Sequence, residues 1–344
     1  VGEIVGMVLC AGLGTRLRPL TELVPKPAVP VANLPLVRWS LALLRGAGVR
    51  RAVVNVHHLP DVMGRAALQS AHALGMELAI SREPVIAGTG GALRQARRLL
   101  DGAETVLLLN GDVLFDVDLG GALSAHRASG ALATMLLLPM PAGARFAAVE
   151  VDAGGAVRRI AGAFGPGGER LSPLHFSGVH VLSPALLDRV PAEPFECDIN
   201  RHVYPPLMAA GHVRGHRVEG YWNDLGAPDR YLAAHADLLA GRVPLAPFAG
   251  VDPLAGAVER GHGVRAARSA RIDPGATLEG PALLGEGVVV EAGARVGPNV
   301  VAGPGCRISG GASVRDAVLW EGTAIAPGER VERAIAAGAL RLPG

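Results

Sequence analysis

Two observations predict an α/β domain with a mixed, mostly parallel sheet, followed by a parallel β-helix. The first two thirds of the chain alternate short apolar runs with amphipathic stretches. The C-terminal quarter repeats every six residues. The chain has 344 residues, 49% of them hydrophobic, enough to bury two cores.

The elements follow in order. Residues 3–10 (EIVGMVLC) read as a buried strand that ends in a glycine loop, residues 11–15. Residues 34–48 carry apolar side chains at helical spacing, and residues 51–56 are a strand again. A helix over 62–74, a strand over 78–81, a helix over 91–100 and a strand over 105–109 continue the alternation. Strands over 131–138, 147–151 and 176–182 and a helix over 231–239 complete it. Strands alternating with helices predict a parallel sheet covered on both faces. Ligands in such sheets bind beyond the carboxyl ends of the strands. The glycine loop and Asp112 both fall there. The expected boundaries are a domain over 1–241, a Pro- and Gly-rich linker over 242–263 and a repeat domain over 264–344.

In the repeat, every sixth residue from Ile272 is apolar: Leu278, Leu284, Val290, Val296, Ala302, Ile308, Val314 and Trp320. Two residues before each stands a small or medium side chain, from Ala270 to Val318. Turn formers recur between them, at Gly275, Pro281, Gly287, Gly293, Asn299, Gly305 and Gly311. This is the hexapeptide period of a β-helix, with the aliphatic residue pointing into a narrow prism. Open coil ends need capping or pairing, so the tail reads as an association module whose removal would change assembly more than chemistry.

Composition excludes several classes. Net charge is +2 with 19% charged residues, which argues against a broad nucleic-acid surface. The longest uncharged apolar stretch, residues 130–144, is too short and too broken by proline to span a bilayer. No basic segment precedes the first apolar run, so no signal peptide is expected, and three cysteines without metal spacing fit a reducing cytoplasm. Cys10, inside the first strand, reads as packing. Lys plus Arg is 33, yet Lys26 is the sole lysine. An ammonium is a compact point charge and a guanidinium a planar fork, so a position that keeps lysine points to tight contact with an anion.

The chemistry concentrates in residues 9–30 (LCAGLGTRLRPLTELVPKPAVP). A glycine loop after a strand offers backbone N–H groups to phosphates. The dinucleotide fingerprint is absent, because its third glycine is Leu17, and no Gly-Lys-Ser/Thr follows for a Walker loop. The string Gly-x-Gly-Thr-Arg-Leu-x-Pro-Leu-Thr followed by Pro-Lys-Pro resembles the signature of the sugar nucleotidyltransferases. So do Asn55-Val56-His57-His58, Glu83-Pro84 with Gly88-Thr89-Gly90-Gly91, Asn110-Gly111-Asp112, Phe176-Ser177-Gly178 and Trp222-Asn223-Asp224-Leu225-Gly226. The loop at 83–93 is particularly similar to the mannose-1-phosphate guanylyltransferase branch.

The resemblance implies a Rossmann-like nucleotidyltransferase domain with a left-handed β-helix of hexapeptide repeats. It implies transfer of a nucleotidyl group from a nucleoside triphosphate to a sugar 1-phosphate, with GTP and mannose 1-phosphate first and UTP or dTTP as alternatives. Arg16, Lys26, Asp112 and Asp224 would be catalytic, the two aspartates holding Mg²⁺. Ala11, Gly12, Gly14, Thr15, Glu83, Gly88, Thr89 and Gly91 would bind the nucleotide. Asn110, Phe146, Gly178 and Trp222 would bind the sugar. A homo-oligomer is expected. His57 and His58 alternate on a strand and read as structural, and Arg94, Arg97 and Arg98 read as a solvated helix face.

Two positions depart from the family. Its Glu-Lys-Pro element has no counterpart here, leaving Arg158, Arg159 and Arg170 as the cations near that place. A glycine beside the sugar is replaced within Phe146-Ala147-Ala148. A non-catalytic nucleotide-sugar-binding subunit is therefore the competing reading. A hexapeptide acyltransferase is disfavoured, because the coils carry no histidine.

Overall fold

The computed structural model describes residues 2–141, 146–162, 171–253 and 255–344. The chain forms two compact units that interleave along the sequence. Residues 1–13, 37–222 and 247–250 make the first, and residues 14–36, 223–246 and 251–344 the second.

The first unit is built on nine strands: β1 (Ile4–Leu9), β2 (Arg51–Val56), β3 (Glu77–Arg82), β4 (Thr105–Asn110), β5 (Ala133–Pro139), β6 (Ala148–Val151), β7 (Val157–Ile160), β8 (Ser172–Leu182) and β9 (Val213–Arg217). β1 is central, parallel to β2 on one side and β4 on the other, with β3 beyond β2. β8 runs antiparallel to β4 and pairs with both β5 and β6, so the sheet is mixed, as expected. Val5, Met7 and Val8 of β1 and Val106, Leu107, Leu108 and Leu109 of β4 are fully buried. That unbroken apolar run is what a strand covered on both faces requires.

Helices α1 (Leu36–Gly46), α2 (Pro60–Ala73) and α3 (Gly88–Gln95) match the amphipathic stretches, α3 ending earlier because the chain tightens into a 3₁₀ turn at Arg97–Leu100. Sequence periodicity missed α4 (Leu119–Ser129), α5 (Tyr204–Ala209) and β9. α4 opens on two glycines. It is fixed at its start by the Asp118 carboxylate, which accepts the Gly121 N–H at 3.0 Å, and at its end by Gly130 in the left-handed region.

In the second unit, residues 264–337 form a parallel β-helix whose rungs stack in three columns, with an antiparallel strand added at each end. Val264 pairs with Ala282 and Ala282 with Val300, eighteen residues apart each time. Beyond that the spacing drops to seventeen, as Val300 pairs with Ala317 and Ile308 with Ile325. The cause is one corner. Gly297, Pro298 and Asn299 turn the chain between rungs, whereas the next coil turns on Arg315 and Asp316 alone, with Asp316 in the left-handed region (φ 46°). The six-residue count therefore fails at its last step. Leu319 takes the core position, and Trp320, expected inside the prism, lies outside that core. α6 (Pro228–Leu239) belongs to this unit, and its Leu232, Ala233 and Ala236 line a cavity of about 310 Å³ with Asn299, Asp316 and Val318.

Buried histidines make stability pH-dependent, His180 and His235 among them. His180 in β8 pairs through Nδ1 with the Tyr204 hydroxyl at 2.7 Å, and burial lowers its pKa to about 3. Burial lowers His235 of α6 to about 4, outweighing its hydrogen bonds. Both are neutral when folded and take up protons near pH 6.5 when unfolded. Their contribution is complete above about pH 6.5 and is lost as pH falls towards 4. For His235 alone the loss is of order 3 kcal/mol. Thermal unfolding followed from pH 7 to pH 4 should fall steeply in wild type and less steeply in His235→Gln.

Candidate active site

In the first unit most of the expected site residues lie at the carboxyl ends of β1 to β4. A chain of buried hydrogen bonds organises it. The Cys10 N–H donates to Asn55 Oδ1 at 2.7 Å, and Asn55 Nδ2 donates to Glu83 Oε1 at 2.7 Å. Glu83 Oε2 accepts the Ala87 N–H at 3.0 Å. The Cys197 N–H donates to the Ala87 carbonyl, and the Gly90 and Gly91 N–H groups both donate to the Cys197 carbonyl. The start of the glycine loop and the loop at 83–91 are thereby one hydrogen-bonded piece. Glu83 is 4% exposed and both its carboxylate oxygens are held by the protein. Two early N–H groups of α3 are taken by Cys197, so this helix start does not offer them to a phosphate. Asn55 and Cys197 were not among the expected site residues. Their signal is spatial only, since Asn55 partners Glu83 across 28 residues and Cys197 lies further still along the chain.

Glycines here divide into two kinds. Gly88 lies in the left-handed region (φ 72°), and a Cβ on it would come within 2.7 Å of the Cys197 carbonyl oxygen. A Cβ on Gly91 would meet Ala87 Cβ at 2.8 Å. Gly12 is exposed, and a Cβ on it would meet nothing within 4 Å. Packing explains the first two and leaves Gly12 without a structural reason. Gly88→Ala should therefore destabilise the fold by about 1–3 kcal/mol. Gly12→Ala should leave the melting temperature unchanged and lower turnover, a contrast that calorimetry and a rate assay on the two variants would read.

Asp112 follows Gly111, which crosses against β1: its N–H donates to the Leu9 carbonyl, and a Cβ there would meet Cys10 Sγ and Leu9 O at 2.7 Å. Burial first, and then the Asp112 carboxylate, push the Cys10 thiol far above its ordinary range, so Cys10 is a packing residue. Beside Asn110 comes Gly178 (φ 95°), whose Cβ would lie 3.2 Å from Asn110 Cβ. Trp222 Nε1 donates to the Ser177 carbonyl at 2.8 Å. The Phe146 and Trp222 rings meet edge-on at 5.3 Å, and His175 packs at 4.3 Å from each. The four residues expected at the sugar are thus gathered along β8, with His175 as an addition.

Three further expectations change or resolve. Arg94 is not a solvated face: it donates to the Pro191 and Phe195 carbonyls, clamping the segment that carries Cys197. His57 Nδ1 hydrogen-bonds the Glu83 carbonyl at 2.9 Å. Arg158 and Arg159 are paired with Asp152 and Glu150 of their own hairpin, at 2.7 and 2.9 Å. Arg170 lies outside the described residues.

The second unit brings together Gly14, Arg16, Lys26 and Asp224. Gly14 (φ 61°) starts a 3₁₀ turn at Thr15–Leu17, and a Cβ on it would lie 3.0 Å from both Lys26 Cβ and Thr21 Cγ2. The Thr21 hydroxyl holds the Gly14 carbonyl at 3.0 Å. Lys26 opens a second 3₁₀ turn and is 5% exposed, and its Nζ donates to the Asp224 carbonyl at 2.6 Å. The Asp224 carboxylate accepts from Arg230 Nη1 at 2.7 Å and from the Gly226 N–H at 3.2 Å, both at Oδ1. Its Oδ2 lies 3.9 Å from Arg16 Nη2. Burial would raise the Asp224 carboxyl, but hydrogen bonds from Arg230 and Gly226 and the charges of Arg230 and Lys26 hold it below the ordinary carboxylate range. Gly226 lies against Arg16: a Cβ there would come within 2.7 Å of its guanidinium, the mobile end of an exposed side chain. Arg230, six residues after Asp224 in the first turn of the following helix, was not anticipated. The arrangement gathers three cations about one carboxylate, which suits a polyanion.

The family model for nucleotidyl transferases matches residues 5–241. The chain belongs to that family. As a nucleotidyl transferase it is 32% identical over 288 residues to a mannose-1-phosphate guanylyltransferase of Mycobacterium tuberculosis, covering 83% of this chain and 76% of that protein. It is 30% identical over 235 residues to the mannose-1-phosphate guanylyltransferase catalytic subunit beta of Danio rerio, and 28% over 229 residues to that of Dictyostelium discoideum. Each of those two matches covers 66% of this nucleotidyl transferase and 62% of the relative. Among the described residues, no helix is long and apolar enough to cross a membrane.

Proposed function

We propose that this nucleotidyl transferase joins GTP and mannose 1-phosphate, or a closely related sugar 1-phosphate, releasing pyrophosphate. A phosphate oxygen of the sugar attacks the α-phosphorus, a P–O bond forms, and the bond to the β-phosphate oxygen breaks in line. Both reactants are polyanions, so alignment and charge neutralisation supply most of the rate. The observation that carries this reading is the buried Lys26, held by its ammonium on the main chain of Asp224 with Arg16 and Arg230 around the carboxylate.

Gly12, Gly14 and Thr15 cradle the triphosphate, and Arg16 neutralises the departing pyrophosphate. Lys26 places its point charge at the reacting phosphates. Ala11, Gly88, Thr89 and Gly91 shape the base and ribose side, with Glu83 holding that loop. Asn110, Gly178, Phe146 and Trp222 form the sugar side. The donor set suits Mg²⁺, which binds through one or two carboxylates plus phosphates; Asp112 and Asp224 would hold it, and it would neutralise charge on the phosphate oxygens. A cytoplasmic homo-oligomer that associates through its β-helix completes the proposal, and the mass in solution tests that part.

The deciding experiment is pyrophosphate release with Mg²⁺ across GTP, UTP, dTTP, CTP and ATP, each against mannose, glucose, galactose, N-acetylhexosamine and heptose 1-phosphates. The expected result is one dominant pair, GTP with mannose 1-phosphate. A dominant UTP or dTTP pair overturns the base. A blank grid with tight nucleotide-sugar binding overturns catalysis.

A further inference from the structure

The outward turn of Trp320 takes its indole out of the prism, where the repeat would have buried it, and sets it against α6. Its Nε1 donates to the Tyr231 hydroxyl at 3.1 Å, and that hydroxyl donates to the Pro30 carbonyl. Tyr231 is fully buried, and burial raises its pKa, so it stays a neutral donor. One helical turn along α6, His235 Nδ1 donates to the Tyr231 carbonyl at 2.8 Å, while Nε2 accepts the Ala32 N–H at 3.1 Å. Asn33 Nδ2 reaches the Ala302 carbonyl of the coils at 3.3 Å. Pro30 is tied back to the catalytic turn, since the Val29 N–H donates to the Lys26 carbonyl at 3.2 Å. A cavity of about 380 Å³, lined by Val24, Ala28, Pro30, Asn33, Trp320 and Glu321, opens along this junction. With such a void beside it, the turn depends on discrete hydrogen bonds more than on continuous packing.

We propose that the β-helix is a working part of the transfer site, with Trp320 a positioning residue that acts through Tyr231 and Pro30 on the turn carrying Lys26. The sequence alone made the tail an association module. The second unit also joins it in one compact body with Gly14–Leu36 and Asn223–Ala246. The relay runs from Trp320 to Tyr231 to Pro30, along the turn to Lys26, and from its ammonium to the main chain of Asp224. Arg230, which holds the Asp224 carboxylate, is the neighbour of Tyr231 in α6. Displacing the relay by a fraction of an ångström displaces Lys26, and small misplacements of a charge aimed at a reacting phosphate are costly in rate.

This inference rests on the catalytic role proposed for Lys26. The test uses the full chain, with Trp320→Phe, Tyr231→Phe and the double variant, in the pyrophosphate-release assay and in amide exchange of peptides covering residues 26–36. Trp320→Phe keeps an aromatic ring but removes the N–H together with part of the indole, whereas Tyr231→Phe removes the hydroxyl alone, so the relay is read from the two variants together. The expected result is a fall in kcat of about tenfold with the KM for either substrate within about twofold, faster exchange over 26–36, and a double variant no worse than Tyr231→Phe. Wild-type kcat in Trp320→Phe overturns the inference, whether or not exchange or melting temperature changes. Additive losses in the double variant overturn the relay. Lys26→Ala run alongside separates the two claims: if it retains turnover, the role of Lys26 fails, whereas a dead Lys26→Ala beside a fully active Trp320→Phe fails the positioning role alone.

Discussion

Lys26→Arg is expected to lower kcat by about 10²–10³-fold while the fold survives. The charge is retained, so the loss comes from shape. Lys26 is 5% exposed and its ammonium lies 2.6 Å from the Asp224 carbonyl. A guanidinium is planar and longer, and it presents a fork where the site has room for a point. It must displace either the Asp224 main chain or the turn that begins at residue 26. Steady-state rates with circular dichroism of the same preparation would check this. Rates within about threefold of wild type would leave the lone lysine, beside 32 arginines, without a chemical reason.

Asp224→Asn should be at least as damaging, with kcat lowered by about 10²–10⁴-fold and an increased Mg²⁺ requirement. An amide keeps the shape and can still accept from Gly226 and Arg230, so the chain should fold. What disappears is the negative charge against Arg16 and Arg230 and the hard oxygen for the cation. Asp112→Asn should act in the same direction through the proposed cation. Titrating Mg²⁺ against initial rate separates them: both variants should shift the half-saturating concentration upward. Two variants with unchanged Mg²⁺ dependence and full rate would remove the metal assignment.

The parts of the site legible in the sequence are those whose chemistry is written in one contiguous string. Gly12 to Thr21 and Pro25-Lys26-Pro27 carry a loop, a turn and a charge within a few residues, each type dictated by a local need. The buried chain from Cys10 through Asn55 and Glu83 to Cys197 could not be read that way. Each link joins residues far apart, and a buried asparagine or glutamate has no periodic signature. Arg230 was missed for a different reason, since an arginine on an amphipathic helix looks solvated until its partner is known. For the fold, apolar runs located the central strands, while α4 escaped because Gly120 and Gly121 mask a helix that its capping aspartate nucleates. The repeat predicted the core positions of the coils from Ala270 to Val314, and then failed at Val318 and Trp320, whose places Ala317 and Leu319 take. A period counts residues and is blind to a corner made with one residue fewer.

The interleaving of the two units also constrains the order in which the molecule can be made. Gly14–Leu36, which carries Arg16 and Lys26, is synthesised early, but the rest of its compact unit is residues 223–246 and 251–344. On a ribosome this segment must wait through almost 200 residues of nascent chain before its partners exist, a separation that slows folding through the entropy of closing so long a loop. The central sheet can assemble in the meantime from residues 1–13 and 37–222. A nascent or truncated chain would then present a formed sheet and no organised lysine turn. Organisation of the lysine turn would then wait on the coils that share its unit, whichever part of the sheet has already formed.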